Sequence, residues 1–268
     1  MLSTIIDGVG IRVSRLGFGT ASLHHIFGSK ARGELLAAAI DSGITHFDTA
    51  PYYGYGLAEN DLGRIVHKRR SDCTITTKVG LYPQGGFSST STNLWSRKLL
   101  GKVLPKMSEP RKIWEVNRAR YSLYESLKRL KTDYVDFLFL HEPDLNMINT
   151  EEMFDWLKAE REKGSIRAWG LAGIRELVEP FLQSEYQLYS VIQTQDSIDT
   201  HEADFVFNAG RSLQFTYGYI SSARVARQNM SVERVIRSAL ERNNTGSILV
   251  STQRPQHLYE IAKMVESK

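Results

Sequence analysis

Short apolar strands alternate with helix-patterned segments almost from one end of the chain to the other, which is the sequence sign of βαβ units and a parallel sheet. After a small hairpin (Ile5, Ile6, then Ile11 to Val13, turning at Gly8 and Gly10), eight strands can be placed. They run Arg15 to Thr20, Ile44 to Ala50, Cys73 to Gly80, Tyr134 to His141, Ser165 to Gly173, Tyr189 to Gln195, Ser212 to Ile220 and Gly246 to Thr252. Helical spacing of apolar residues predicts helices over Lys30 to Ser42, Leu57 to Lys68, Ile113 to Leu130, Glu151 to Lys163, Val232 to Arg242 and Gln256 to Glu266, with Gly43 and Gly164 as stops. Eight such units in 268 residues predict an α/β fold of the (β/α)8 barrel type rather than a doubly wound sheet, because that barrel uses ~250 residues as one unit. A single domain over 1–268 is expected. The pattern lapses once, from Leu81 to about Lys112, where a polar tract (Gly85 to Asn93) and Pro105 and Pro110 make an insertion longer than connections usually are. A lid or a disordered segment is expected there.

Charge and cysteine content narrow the function classes. The net charge of +4 is spread over 64 charged residues, far from the concentrated basic stripe that nucleic-acid binding needs, but it suits an anionic cofactor or substrate. Cys73 is the one cysteine, so neither an intrachain disulfide nor a multi-cysteine metal site can form, and a reducing cytoplasm is expected. No apolar run reaches the ~18 residues of a membrane span, and Asp7 falls where a secretory signal would be apolar.

In barrels of this kind the active site lies at the C-terminal ends of the strands. The second strand ends in HFDTAPYYGYG (His46 to Gly56), with Asp48 at its end and Tyr53 just beyond; the third ends in Lys78, the fourth in His141, the sixth in Gln193 and Gln195. Asp, Tyr, Lys and His together make a proton donor with its supports. A phenol titrates near ~10, and an ammonium beside it is expected to lower that value by favouring phenolate. Lys78, emerging from an apolar strand, needs a carboxylate to remain charged, and Asp48 is the candidate. His141 is then expected to hold a substrate oxygen in line with Tyr53.

Four blocks carry a resemblance: DTAPYYGYGLAENDLG (Asp48 to Gly63), TITTKVG, SLYESLKRLKTDYVDFLFLHEPD (Ser122 to Asp144) and GSIRAWG (Gly164 to Gly170). They are similar to the signature blocks of the aldo-keto reductases, in order and most specific up to Gly170. The resemblance implies the catalytic set Asp48, Tyr53, Lys78 and His141, with hydride passing from the nicotinamide of NADPH to a carbonyl carbon while the tyrosine protonates the oxygen. It also implies Gly19 and Thr20 at the first strand end, Asp48 and Gln193 near the carboxamide, and Phe215 as the aromatic stacked on the nicotinamide, with Tyr217 as second choice. Where that family usually carries Ser and Asn after strand five, this chain has Leu171, Ala172 and Gly173. At the phosphate end, Ser251, Thr252, Arg254 and His257 surround the start of the last helix, an anion site by its geometry. Arg254 is expected to meet a 2′-phosphate in place of a helix arginine, so NADPH ranks ahead of NADH. The chain stops soon after the last helix, so shaping of the substrate pocket is expected to fall to the insertion.

The implied reaction is reduction of an aldehyde, ketone or sugar carbonyl to an alcohol, or its reverse, with a small molecule as partner and neither nucleic acid nor membrane. A nicotinamide-binding sensor or regulatory subunit is the alternative from another class, and a Schiff base on Lys78 is a second enzyme reading. Weaker signals have ordinary readings. LGFGT lacks the GxGxxG spacing of a dinucleotide fingerprint. The cluster Arg97, Lys98, Lys102, Lys106, Arg111 and Lys112 reads as a solvated face or a grip for phosphates, and HKRR (His67 to Arg70) as an exposed helix end. His24 and His25 lie near the expected pocket. No residues stand at metal-ligand spacing.

Overall fold

A computed structural model of the chain describes residues 1–84, 110–185, 188–225 and 230–266. Most of the expected insertion, with Arg97, Lys98, Lys102 and Lys106, lies outside the described residues. The chain opens with an antiparallel hairpin, β1 (Ser3–Ile6) and β2 (Ile11–Ser14). It then runs through β3 (Leu16–Gly19), α1 (Ser29–Asp41), β4 (His46–Asp48), α2 (Leu57–Val66) and β5 (Thr74–Val79). A short antiparallel ribbon, β6 (Leu81–Tyr82) and β7 (Arg111–Lys112), clasps the base of the insertion. There follow α3 (Val116–Leu130), β8 (Val135–His141), α4 (Thr150–Glu162), β9 (Ile166–Gly173), α5 (Arg175–Gln183), β10 (Val191–Gln195) and α6 (Asp204–Asn208). The described chain ends with β11 (Phe215–Tyr217), α7 (Tyr219–Val225), α8 (Val232–Arg242), β12 (Ser247–Val250) and α9 (Pro255–Glu266).

Eight of these strands, β3, β4, β5, β8, β9, β10, β11 and β12, pair in parallel and close into a barrel in which β12 returns to β3. The (β/α)8 expectation holds, and the hairpin stands where it was expected. The two-residue period of a strand divides the core into two layers. On β8, Phe137 and Phe139 face the barrel interior with Val191, Ala168 and Phe215, over a floor of Ile6, Ile11 and Val13 from the hairpin. Leu138 and Leu140 face the other way and pack with Leu123, Leu130 and Met153 of the helices. Burial on both faces is why β8 reads as a near-continuous apolar run.

Local chemistry fixes where helices begin and end. Asn149 caps α4 by accepting from the Glu152 amide at 3.2 Å, and Ser231 caps α8 by accepting from that of Arg234 at 3.2 Å. The barrel seam is tied by Arg15, whose guanidinium donates to the carbonyls of Gly246, Leu240 and Asn243, the last two at 2.9 and 2.7 Å.

Three segments differ from expectation. The helix after β9 contains Pro180, which breaks its sequence signal, yet Val178 and Phe181 hold it against the barrel. The expected strand to Ile220 stops at Tyr217, since Gly218 takes φ 106° and α7 starts at once. Arg70 is not an exposed helix end: it donates to the carbonyls of Cys73 and Tyr134 and pairs with buried Asp136 at 2.8 Å. No helix among the described residues is long and apolar enough to cross a membrane.

Candidate active site

Four side chains meet at the C-terminal mouth of the barrel. Asp48 ends β4, Lys78 stands one residue from the end of β5, His141 ends β8, and Tyr53 projects from the loop after β4. An ammonium has three N–H donors, and the Lys78 Nζ uses each: to Asp48 Oδ1 at 2.6 Å, to the Thr49 carbonyl at 3.0 Å, and to the Tyr53 hydroxyl at 3.3 Å. The Tyr53 oxygen is thus an acceptor toward Lys78, leaving its own proton to be aimed elsewhere. His141 stands edge-on to the Tyr53 ring, 5.8 Å between centroids. Gln193 Nε2 donates to the same Asp48 oxygen at 3.0 Å.

The loop that aims Tyr53 is unusual backbone. Gly54, Tyr55 and Gly56 all take positive φ (61°, 58° and 87°), so the chain reverses within three residues before α2 begins. A Cβ on Gly54 would come within 2.6 Å of the His24 Cβ, so the turn also needs the missing side chain. The YGYG spelling of the sequence is this turn.

Burial dominates the protonation states. The Tyr53 phenol is pushed well above its ordinary value of 10 by burial, with the Asp48 and Glu142 carboxylates adding to it. The expected lowering by Lys78 is not seen, and in the free protein Tyr53 holds its proton. Burial also lowers Lys78, against which the Asp48 carboxylate acts to keep it charged. His141 lies well below its ordinary 6.5, from burial first and then the Lys78 and Lys112 charges, so the imidazole is neutral. A phenol that keeps its proton until negative charge appears on a neighbouring oxygen is a general acid.

These groups face a cavity of about 710 Å3, whose other walls include Gly19, Ser251, Gln193 and Tyr217. Gln193 is 3% exposed, and its Oε1 is buried without a hydrogen-bond partner, an acceptor that fits an amide N–H of a bound group. Ala172 and Gly173 line the cavity where longer side chains would narrow it. The residues present therefore fit a nicotinamide, for which Gln193 offers an unpartnered acceptor and the cavity wall an aromatic ring.

Phe215, expected as the stacked aromatic, does not line the cavity. Phe215 is 1% exposed and packs in the barrel interior, stacked on His46 at 4.6 Å between centroids, below the cavity. Tyr217, two residues nearer the rim on the same side of β11, lines the cavity instead. Thr20 does not line the cavity either: it is fully buried, and its amide and hydroxyl both donate to the Asp48 carbonyl, at 2.9 and 3.0 Å. Its part is to fix the backbone under Asp48. Thr252, Arg254 and His257 gather at the start of α9, with Thr252 Oγ1 3.2 Å from both His257 Nδ1 and the Arg254 amide. They stand just past Ser251, outside the cavity proper. His24 and His25 lie ring against ring, 4.1 Å apart, and do not line it.

Sequence reasoning passed over Glu142. It follows His141, adopts φ 50°, donates its amide to the Ala172 carbonyl at 2.7 Å and lines the cavity. An acid directly between the site histidine and Pro143 was the available signal.

Comparison with known proteins bears on the family and the fold. The model of the aldo/keto reductase family matches residues 15–179. L-galactose dehydrogenase of Arabidopsis thaliana is 30% identical over 178 residues, covering 63% of this chain and 47% of that protein. A probable voltage-gated potassium channel subunit beta of Oryza sativa subsp. japonica is 31% identical over 199 residues, covering 68% of this chain and 54% of that one. The chain spans about half the length of the curated relatives it matches. Among solved structures, an aldo-keto reductase from Bacillus halodurans in its holo form superposes with a TM-score of 0.77 at 18% identity, covering 100% of this chain and 92% of that one. One from Klebsiella pneumoniae in complex with NADPH gives 0.66 at 18%, covering 99% and 90%. These two show the shared barrel. The family match spans more than half of the sequence, and the chain belongs to the aldo/keto reductase family.

Proposed function

We propose that the protein is a nicotinamide-dependent oxidoreductase that interconverts an aldehyde, ketone or sugar carbonyl with the alcohol, using Tyr53 as the proton donor. The observation that carries this reading is the threefold donation of Lys78 to Asp48, the Thr49 carbonyl and Tyr53, which orients the phenol's proton away from the lysine. When bound, the coenzyme supplies the hydride that reaches the carbonyl carbon. The oxygen left negative takes the Tyr53 proton, and the Lys78 ammonium steadies the phenolate that results. Neutral His141 directs the carbonyl oxygen toward Tyr53. Gln193 and Tyr217 orient the nicotinamide, and Ser251, Thr252, Arg254 and His257 receive the phosphate end, which supports NADPH ahead of NADH. A single buried cysteine suits a cytoplasmic setting.

The test is Tyr53→Phe, followed by NADPH absorbance against a panel of aldehydes, ketones and aldoses. Turnover is expected to fall by roughly 10²- to 10⁴-fold, with NADPH affinity, read by protein fluorescence, nearly unchanged. Full turnover in the variant would sink the assignment. Arg254→Ala alongside is expected to weaken NADPH and spare NADH.

A second reading, a nicotinamide-binding regulatory subunit, is favoured by two relatives, from rice and Arabidopsis thaliana, each named a probable voltage-gated potassium channel subunit beta. Firm NADPH binding with no oxidation by any member of the panel would support it over the enzyme.

A further inference from the structure

We propose that Glu142 selects substrate by charge, turning anionic carbonyl compounds away from the cavity in favour of uncharged ones; the inference rests on the reductase reading above. The cavity wall carries three formal charges among the described residues. Two of them, Asp48 and Lys78, cancel in a 2.6 Å pair, and His141 is neutral. The third is the Glu142 carboxylate, which has no opposite charge beside it on the wall.

The backbone puts it there. Glu142 takes φ 50°, in the left-handed region that a side-chain-bearing residue rarely adopts, and its amide is pinned to the Ala172 carbonyl at 2.7 Å. That turn sets the residue on the cavity wall beside Tyr53, rather than continuing the line of β8. Its charge is felt across the site: burial first raises Tyr52, Tyr53 and Tyr217, and the Glu142 carboxylate adds to the rise at each. Lys112 approaches its Oε2 at 3.5 Å, but Lys112 is not part of the wall, and both side chains are more than a third exposed. Such a pair is loose and screened by water, and of the two residues Glu142 is the one that lines the cavity.

Beside Glu142 the wall is small. A Cβ on Gly173 would lie 3.5 Å from the Glu142 Cα, and Ala172, whose carbonyl holds the Glu142 amide, adds no more than a methyl group. The remote end of a substrate whose carbonyl meets Tyr53 and His141 therefore has room beside a carboxylate. A carboxylate is an acceptor without donors; it welcomes hydroxyl or amide N–H groups and repels a second anion where water is partly excluded.

The experiment uses a matched pair, 4-carboxybenzaldehyde and its uncharged isostere 4-formylbenzamide, titrated calorimetrically into the full chain saturated with NADP+. Wild-type protein is expected to bind the amide roughly tenfold more tightly than the acid. Glu142→Gln is expected to bring that ratio close to one by tightening the acid alone, while Glu142→Asp, which keeps the charge, retains the preference. An unchanged ratio in Glu142→Gln would overturn the proposal. Turnover with NADPH is followed separately on the same proteins. A ratio that shifts as expected while neither aldehyde is reduced would leave charge selection standing and count against the reductase reading.

Discussion

The Lys78 ammonium and the Asp48 carboxylate meet at 2.6 Å inside the mouth of the barrel, with 2% and 6% of their side chains exposed. Removing one partner of so buried a pair strands the other, at a cost of about 3–5 kcal/mol, whereas replacing both with uncharged groups is far milder. Asp48→Asn and Lys78→Met are each expected to be strongly destabilised in urea melts. The double variant is expected to recover most of the loss while remaining without turnover. Additive losses across the double-mutant cycle would mean that the pair is not coupled as described.

Phe215 and Tyr217 are separated by one residue and by the floor of the cavity. Tyr217→Ala is expected to weaken coenzyme binding by roughly tenfold with little change in melting temperature. Phe215→Ala is expected to cost about 3–5 kcal/mol of stability, because it empties the space under His46, and to leave coenzyme affinity of the folded fraction intact. The opposite pattern would return the stacking role to Phe215.

His46 gives the fold an acid-sensitive element. Burial, and then the Lys78 charge, pulls its imidazole down from 6.5 to about 3. Its Nδ1 lies 2.9 Å from the Thr74 hydroxyl, and its ring lies against Phe215. Between these two values the unfolded chain takes up a proton that the folded chain refuses, so stability rises with pH through the window and is lost as pH falls from 6.5 toward 3. The slope from this one group is about 1.4 kcal/mol per pH unit. Urea melts between pH 4 and 7 should show it, and His46→Gln should flatten the profile by one proton. His141 adds a slope of the same sign that the variant would retain.

How much of this could be read from the residues depended on where the information resides. The barrel strands stood out because each is a short apolar run between turn signals, and β8 in particular has no polar face to blur it. The Asp48, Tyr53, Lys78 and His141 set was legible because a parallel barrel puts the ends of neighbouring strands side by side, so one strand's position predicts the next. The identity of the aromatic ring was not. Phe215 and Tyr217 point to the same side of β11, and their height relative to the cavity is set by the tilt of the barrel, which no local pattern encodes. The Thr20 hydroxyl is taken up by the Asp48 carbonyl of the neighbouring strand, a contact between residues 28 apart that the sequence does not show. Arg70 looked like one more cation in HKRR because its partner, Asp136, is 66 residues away on another strand. The direction of the Tyr53 shift also escaped, since a neighbouring ammonium is visible in the sequence and the extent of burial is not.

The seam between β12 and β3 sets an order of events for the nascent chain. Ile248 lies opposite Leu16, and Arg15 reaches from the first barrel strand to three carbonyls just ahead of the last. Gly19 and Ser251, on either side of that seam, both line the cavity. Contacts so distant in sequence form slowly, and while the ribosome is still feeding out the chain, one wall of the cavity has nothing to face. Any ligand that needs both walls can engage only after the last strand has been released and docked. Its binding would mark a closed barrel, and would then lock the seam it had to wait for.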